Sequence, residues 1–246
     1  MEQLTGKELQ EKLTWKFPHI GQKAPEQVAE AAAFCEGDKE FLDRGKTERE
    51  CVNAAVEMLK KAGYVEFEPG KRYQPGDKVY MNNRGKAVIA TTYGTKPVAE
   101  GVRINGAHID SPRLDLKPNP LYEKSEIAFF KTHYYGGIRK YQWGAIPLAM
   151  HGVVIKKDGE MVEINLGEKP GDPVFCLTDL LPHLSGEQNK RELHEGLKGE
   201  ELNIVVGSVP YVDEEELKEP VKLLALKLLY EQYGITEGDF MRAEIE

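Results

Sequence analysis

The sequence predicts an α/β fold, because helical and strand patterns occupy separate and clearly bounded stretches of the chain. Two helical stretches precede a long series of short strand patterns, and a third helical stretch follows them. The chain has 246 residues, of which 40% are hydrophobic and 30% charged, a balance typical of folded globular proteins. This length suffices for one large domain or two small domains with hydrophobic cores.

Three ranges share apolar residues at helical spacing and recognisable helix ends, and we predict helices at 24–43, 47–63 and 220–233. Pro25 suits the first turn of the first helix. Thr47 and Glu50 form a T-x-x-E capping box at the start of the second helix. Gly63 and Gly234 provide C-terminal stops for the second and third helices.

Short strands are predicted wherever apolar and β-branched residues are bounded by Gly, Pro and Asn turns. The predicted ranges are 64–68, 79–82, 87–92, 102–108, 127–135, 145–157, 161–166, 202–209 and 240–246. A Lys-Asp-Gly turn joins two of these strands at residues 157–159. Most of the β-structure is therefore expected after residue 64.

Composition and charge exclude several classes of protein. The net charge of -8 and the pI near 5.4 argue against nucleic acid as a partner, because phosphate binding relies on clustered Lys and Arg. Cys35, Cys51 and Cys176 are an odd number at wide spacings, which predicts neither a disulfide framework nor a thiolate zinc site. The N-terminal stretch lacks the apolar segment of a signal peptide, and no membrane span is predicted. We expect a cytoplasmic protein.

The stretch Gly106–Pro112 carries the clearest chemical signal. His108 ends the predicted strand 102–108, and Asp110 follows two residues later. Side chains alternate along a strand, so this spacing puts the imidazole and the carboxylate on one face. Neutral imidazole is a common zinc ligand, and a carboxylate at its other ring nitrogen fixes its tautomer. The pattern alone leaves open, and by its frequency favours, a His–Asp pair that only stabilises the fold.

Four segments occur in an order and spacing that resembles the M18 aminopeptidases, the group of the aspartyl and vacuolar aminopeptidases. They are Lys46–Glu50, Asn105–Leu114, Tyr134–Ile138 and Leu181–Leu184. The resemblance covers nearly the whole chain. It implies a metal-dependent aminopeptidase that removes N-terminal residues from peptides by means of a metal-activated water.

The resemblance also implies roles for three residues. In the family, the histidine of the H-x-D-S-P motif binds one of two zinc ions and the following Asp orients it. His108 is therefore expected to be a metal ligand and Asp110 a catalytic residue, with cobalt or manganese as alternatives to zinc. A histidine of the family's inserted domain reaches the active site of the neighbouring subunit, so His183 is a candidate for substrate binding. A surface or interface histidine without a catalytic part is the equally open alternative.

The domain organisation that the resemblance implies has three parts. Residues 1–139 begin a catalytic α/β domain of the zinc-peptidase type, and residues 140–237 form an inserted, mainly β dimerisation domain. Residues 238–246 return as a strand to the catalytic domain, which is expected to be incomplete. The family also implies homo-oligomers, in which dimers can assemble into dodecamers.

Two departures from the family pattern limit these expectations. The segment after Tyr-Gly-Gly usually reads W-x-x-W-F-D-R-D-L in the family, whereas Arg139–Leu148 differs here, so the preferred N-terminal residue is left open. The family's bridging Asp, its Glu-Glu pair, a further carboxylate ligand and the last His have no counterpart in this sequence. We therefore expect the 246-residue chain alone to be inactive. The alternative is a truncated or split, non-catalytic half that serves only in oligomer assembly.

Overall fold

The computed structural model describes residues 5–15, 17 and 19–246. The chain divides into two compact units, residues 1–45 and residues 46–246. In the described residues, no helix is both long and apolar enough to cross a membrane.

The first unit is helical where it is described. It contains α1 (Gly6–Leu13), α2 (Ile20–Lys23) and α3 (Pro25–Arg44). The helix predicted at 24–43 is confirmed as α3, with Pro25 in its first turn, where the missing N–H has no intrahelical role. The short α1 was not predicted, although Thr5 and Glu8 form a capping box at its start.

Helix α4 (Glu48–Lys61) opens the second unit and confirms the predicted capping box. The backbone N–H of Glu50 donates to Oγ1 of Thr47 at 3.2 Å, and the backbone N–H of Thr47 donates to Oε2 of Glu50 at 2.9 Å. Cys51, Val52 and Ala54 form the buried part of this helix. The cap therefore fixes the start of a helix whose first turns already face the core.

A three-stranded sheet follows α4 and consists of β1 (Val65–Glu66), β2 (Lys78–Asn83) and β3 (Ala87–Thr92). Strand β2 pairs with β1 in parallel and with β3 in an antiparallel hairpin. These strands confirm the predictions at 64–68, 79–82 and 87–92, with the first reduced to two residues.

A five-stranded sheet forms the centre of the second unit in the order β4-β5-β10-β9-β6. Its members are β4 (Arg113–Lys124), β5 (Ile127–Tyr135), β6 (Pro147–Leu148), β9 (Phe175–Leu177) and β10 (Ile204–Gly207). Strand β5 lies where it was predicted, whereas β4 and β9 were not predicted at all. The sheet joins strands from both sides of residue 139, and the domain boundary proposed there remains a prediction.

Strand β4 was not predicted because it contains Pro118 and Pro120. Proline cannot donate a ladder hydrogen bond, so it argues against a strand. The pairing of β4 with β5 shifts register between Leu116 and Leu121, and β4 lies at the sheet edge, where Pro is tolerated. Ser125 and Glu126 make the hairpin turn with φ values of 52° and 60°. This turn geometry is usually signalled by Asn or Gly, and the sequence offers neither.

The third sheet has the order β11-β7-β8 and contains β7 (Met150–Ile155), β8 (Met161–Leu166) and β11 (Ala243–Ile245). All its pairs are antiparallel. Gly152 has a φ of +146°, and a Cβ there would lie 2.1 Å from the backbone oxygen of Glu244. Only glycine therefore allows β11 to pair with β7 at this point.

One continuous core joins the five-stranded sheet and the β11-β7-β8 sheet to helix α5 (Pro220–Tyr233). Its largest fully buried residues include Phe130, Ile164, Leu177, Leu202 and Ile235. The predicted helix at 220–233 is confirmed, and Gly234 ends it in the left-handed conformation. Oε2 of Glu123 in β4 accepts hydrogen bonds from the N–H groups of Val221 and Lys222 at 2.9 and 3.0 Å, which caps the helix N-terminus.

The strand predicted at 102–108 is wrong. Residues 101–112 have no regular secondary structure, and residues 101–108 are exposed. Alternating residues produce a strand only when a neighbouring strand satisfies its backbone N–H and C=O groups, and no described strand pairs with this segment. His108 therefore lies in an extended loop that leads into β4.

Helix α4 and strand β7 are joined by a buried ion pair. Nδ1 of His151 lies 2.9 Å from Oε1 of Glu50, and Nε2 faces Oε1 of Glu168 at 3.4 Å, where charge attraction acts without a well-formed hydrogen bond. Burial lowers the pKa of His151, but the hydrogen bond to Glu50 and the two carboxylate charges outweigh burial and raise the pKa above its ordinary value. The two carboxylates therefore favour the charged form of this imidazole between helix α4 and strand β7.

We expect the capping hydroxyl of Thr47 to contribute measurably to stability. The Thr47→Val protein keeps the shape of this buried side chain but leaves an N–H of α4 unsatisfied, so its free energy of unfolding should fall by about 1 kcal/mol. Urea denaturation measures this change. Thr47→Ser, which keeps the hydroxyl, is the matched control, and equal stabilities of the Val and Ser variants would contradict the cap.

We further expect a pH-dependent stability from His151. Because its folded pKa is raised, the pair stabilises the protein fully below the unfolded pKa of about 6.5, and this contribution is lost as the pH rises through the folded pKa. The free energy of unfolding should therefore fall more for the wild-type protein than for His151→Gln between about pH 6 and pH 9.

The comparison of the two proteins isolates His151. Burial raises the pKa of Glu246 to about 7, so Glu246 titrates in the same range, but it does so in both proteins. Urea denaturation at each pH supplies the four free energies. Parallel pH profiles for the wild-type protein and the variant would refute a stabilising charge on His151.

Candidate metal centre

His108 and Asp110 lie together, as the sequence predicts, although no strand aligns them. Nδ1 of His108 lies 2.9 Å from the backbone oxygen of Asp110 and 3.1 Å from its Oδ1. The imidazole is 84% exposed and the carboxylate 34%. The ring therefore projects from the loop while one of its nitrogens is turned back onto the backbone.

The contact with the backbone oxygen identifies the tautomer of His108. A carbonyl oxygen only accepts hydrogen bonds, so Nδ1 must carry the hydrogen that it donates to Asp110. Neutral imidazole then has its lone pair on Nε2, which is the form that binds a metal through Nε2. Asp110 thus holds the imidazole through its backbone as well as its carboxylate and leaves Nε2 as the nitrogen with the lone pair.

Asp110 is itself held by Tyr135, the last residue of β5. The hydroxyl of Tyr135 donates to Oδ2 of Asp110 at 2.8 Å, so the two carboxylate oxygens face different partners. This hydrogen bond from Tyr135 is the main reason that the pKa of Asp110 lies below its ordinary value. The carboxylate is therefore ionised and acts purely as an acceptor at neutral pH.

Arg113 supports Tyr135 from the neighbouring strand. The two residues are directly paired in the antiparallel ladder of β4 and β5, and the guanidinium carbon of Arg113 lies 4.2 Å from the centroid of the Tyr135 ring. Arg113 also contacts the carboxylates of Glu48, Asp115 and Glu246 at 3.1, 2.7 and 2.6 Å. We call Arg113 and these three carboxylates the Arg113 cluster. The cluster connects Tyr135, through Arg113, to Glu48 of helix α4.

The glycine after Tyr135 allows the site loop to pack against β5. Gly136 has a φ of +79°, and a Cβ at this position would lie 3.4 Å from Cα of Pro112. Pro112 follows Asp110 by two residues, so the Tyr-Gly-Gly and H-x-D-S-P segments are in contact. Glycine meets the positive φ and the close approach at no steric cost.

His183 lies on an exposed turn and makes no hydrogen bond with His108 or Asp110 among the contacts of the described chain. The turn is closed by the N–H groups of Leu184 and Ser185, which donate to the backbone oxygen of Leu181 at 2.8 and 3.0 Å. Leu180, Leu181 and Leu184 around it are 53%, 58% and 62% exposed. The structure therefore places His183 in an exposed apolar patch, which we call the Leu180–Leu184 patch.

The residues present fit one metal ligand and no complete metal centre. Among residues 5–15, 17 and 19–246, no three His, Cys, Asp or Glu side chains converge to form a metal site. The tautomer of His108 nevertheless suits metal binding, because its outward nitrogen carries the lone pair.

Sequence reasoning missed Tyr135, Arg113 and Glu48 as parts of this site. In the sequence, Tyr135 stands out only as the residue before two glycines. Its role depends on the ladder register between β4 and β5, and β4 was not predicted. A cationic residue three positions after Asp110 is a signal, but it does not reveal which ring it contacts.

Known proteins match the part of the chain that contains these site residues. Residues 41–246 match the family model described as aminopeptidase I zinc metalloprotease (M18). The chain is 49% identical over 224 residues to a probable M18 family aminopeptidase 1 of Clostridium acetobutylicum, covering 89% of this chain and 48% of the relative. It is 48% identical over 217 residues to a protein of the same name from Thermotoga maritima, covering 88% and 47%. The chain thus spans about half the length of the curated relatives it matches.

Solved structures resemble the chain over the same extent. The M18 aminopeptidase of Thermotoga maritima superimposes with a TM-score of 0.87 at 45% identity, covering 95% of this chain and 50% of that one. Aminopeptidase I of Clostridium acetobutylicum gives a TM-score of 0.82 at 44% identity, covering 95% and 52%. A yeast aminopeptidase structure described as a dodecamer shares the fold at 20% identity and a TM-score of 0.57, covering 84% and 45%. The chain therefore belongs to the M18 family of aminopeptidase I zinc metalloproteases.

Proposed function

We propose that the protein containing this chain is a metal-dependent aminopeptidase that removes N-terminal residues from peptides. The observation that carries the proposal is the His108 imidazole, whose Nδ1 hydrogen is held by Asp110 so that Nε2 is free to bind a metal. Membership of the M18 family supports the same activity. Because the chain spans about half the length of its relatives, the activity is proposed for the whole protein.

Each site residue has a separate task in this proposal. His108 binds one metal ion through Nε2, and Asp110 keeps the imidazole in the correct tautomer and direction. Zinc, two ions in a complete site, supplies polarisation of the scissile carbonyl and a water of lowered pKa when it is bound. The remaining ligands and the general base are proposed to lie in the part of the relatives' length that this chain does not span. The chain alone is accordingly proposed to bind zinc weakly and to be inactive.

Several finer points belong to the proposal and are open to test. Cobalt or manganese can replace zinc at sites of this ligand type, so the native metal has to be measured. The preferred N-terminal residue is not fixed by His108 or Asp110. A cytoplasmic location is proposed from the three widely spaced cysteines, none of which forms a disulfide.

We also propose that residues 140–237 are an inserted domain through which the protein forms homo-oligomers. The support is the Leu180–Leu184 patch, where three leucines within five residues are each more than half exposed. A concentrated apolar patch of this kind is typical of an interaction surface. In this arrangement His183 would be carried on the contact surface, where it could reach a substrate bound to the neighbouring subunit.

A purely structural role is the second candidate function. A chain with one prepared ligand and an apolar patch could act only in assembly. The two functions are separated by activity, because an assembly module oligomerises without hydrolysing peptides.

We expect His108→Ala to lower the aminopeptidase activity of the protein that contains this chain by at least about 100-fold, because one metal loses its ligand. Asp110→Asn should lower activity by roughly 10- to 100-fold while keeping part of the bound metal, since the amide orients the ring but does not strengthen it as a ligand. Hydrolysis of aminoacyl anilides, measured with added zinc, cobalt or manganese, checks both changes.

The control for these variants is His133→Ala, which removes an exposed histidine that stacks on Tyr134 and takes no part in the site. Its activity should equal that of the wild-type protein. Normal turnover by His108→Ala would sink the ligand assignment. Absence of hydrolysis with all three metals, in a protein that still oligomerises, would favour the assembly function.

We expect the wild-type chain to be a dimer or a larger oligomer at micromolar concentration, and Leu181→Asp to shift it toward monomer. A carboxylate in the Leu180–Leu184 patch would be desolvated on contact, which costs several kcal/mol unless the charge is paired. Light scattering coupled to size exclusion gives the mass. Met241→Asp, which changes a 64% exposed residue outside the inserted range, is the control. A wild-type monomer would refute the contact.

A further inference from the structure

The carboxylate of Asp110 depends on a strand for its position, because its own segment has no regular structure. Residues 101–112 form no ladder with any described strand, so no backbone pairing holds Asp110 in place. Its Oδ1 lies near His108, which is on the same loop and 84% exposed. Its Oδ2 accepts the hydroxyl of Tyr135, which belongs to the paired strand β5. The tyrosine contact is thus the one that ties the site carboxylate to the sheet.

Tyr135 is in turn fixed more firmly than its exposure suggests. Tyr135 is 40% exposed, yet the Arg113 guanidinium covers one face of its ring at 4.2 Å. Arg113 is only 17% exposed at its side chain, and the carboxylates of Glu48, Asp115 and Glu246 surround it. A guanidinium held by three carboxylates from different elements loses little further freedom when a ring packs on it. The packing on Arg113 therefore holds the Tyr135 ring, and with it the hydroxyl, in one position.

We propose that Tyr135 is a positioning residue of the metal site, whose hydroxyl holds the Asp110 carboxylate so that the His108 imidazole keeps its Nε2 atom directed outward. The two carboxylate oxygens of Asp110 have different partners. Oδ2 accepts the hydroxyl hydrogen of Tyr135, and Oδ1 faces Nδ1 of His108. Without the hydroxyl, the carboxylate can rotate and its contact with the imidazole weakens. The inference rests on the proposed function only in naming the metal as what His108 binds.

The Tyr135→Phe variant tests this role, because it removes one oxygen and keeps the ring that packs on Arg113. In the metal-free chain at about pH 8, long-range ¹H–¹⁵N NMR reports which ring nitrogen of His108 carries the hydrogen. We expect His108 to be the Nδ1–H tautomer in the wild-type chain and to gain a measurable Nε2–H fraction in Tyr135→Phe, because release of the carboxylate leaves only the backbone oxygen of Asp110 to accept the Nδ1 hydrogen. The His108 signals are assigned by their loss in His108→Ala.

Zinc affinity provides a second measurement on the same proteins. Titration with zinc, followed through the His108 NMR signals, should show binding to Tyr135→Phe weakened roughly 3- to 10-fold, below the 10- to 100-fold typical of a residue that contacts the ligand directly. Tyr134→Phe is the matched control, since Tyr134 is the adjacent residue of β5 and points to the opposite face. Its tautomer and zinc affinity should equal those of the wild-type chain. Thermal unfolding of each variant verifies that the fold is retained.

The two measurements separate this inference from the proposed function. A His108 spectrum that is unchanged in Tyr135→Phe overturns the positioning role, whatever activity the protein has. A changed tautomer in Tyr135→Phe, with Tyr134→Phe unaffected, supports the role even if the wild-type chain binds no zinc. In that case the failure lies with the proposed metal function and not with Tyr135.

Discussion

The Arg113 cluster is the interaction on which the rest of the second unit depends. One guanidinium contacts Glu48 at the start of α4, Asp115 in β4 and Glu246 after β11. Lys86 contacts Glu48 at 3.5 Å, so two cations face the three carboxylates of the cluster. Burial, with the charges of Glu48 and Asp115 adding to it and Arg113 opposing it, raises the pKa of Glu246 to about 7. Near pH 7 the raised pKa of Glu246 therefore reduces the negative charge of the cluster.

The same helix turn supplies two separate ion pairs. Glu48 contacts Arg113, and Glu50, two residues later, contacts His151 of β7 while it also caps the helix through Thr47. Residues two apart in a helix point in different directions, so the first turn of α4 reaches two sheets at once. Carboxylates in this turn also complement the positive end of the helix dipole. The T-E-R-E start is therefore both a helix signal and a junction between sheets.

Features that depend on neighbouring residues in the chain were predictable from the sequence. The capping box at Thr47, the glycine stop at Gly234 and the His108–Asp110 contact all follow from spacing of four residues or fewer. Features that depend on pairing between distant residues were not. Strand β4 was hidden by Pro118 and Pro120, and segment 102–108 has a strand pattern without a described partner. The Tyr135–Arg113 contact needs the register of β4 against β5, which periodicity does not supply.

The proposed role of His108 as a pre-oriented metal ligand has a physical rationale. One imidazole binds zinc weakly, so most of the affinity of a complete centre comes from bringing several ligands together. A ligand that already has the correct tautomer and direction need not be reordered when the metal binds, so the free-energy cost of binding is lower. His108 meets both conditions through Asp110, and the sheet reaches Asp110 through Tyr135 and Arg113. The proposed ligand lies on an exposed loop, and its orientation therefore depends on a carboxylate that is anchored to the sheet.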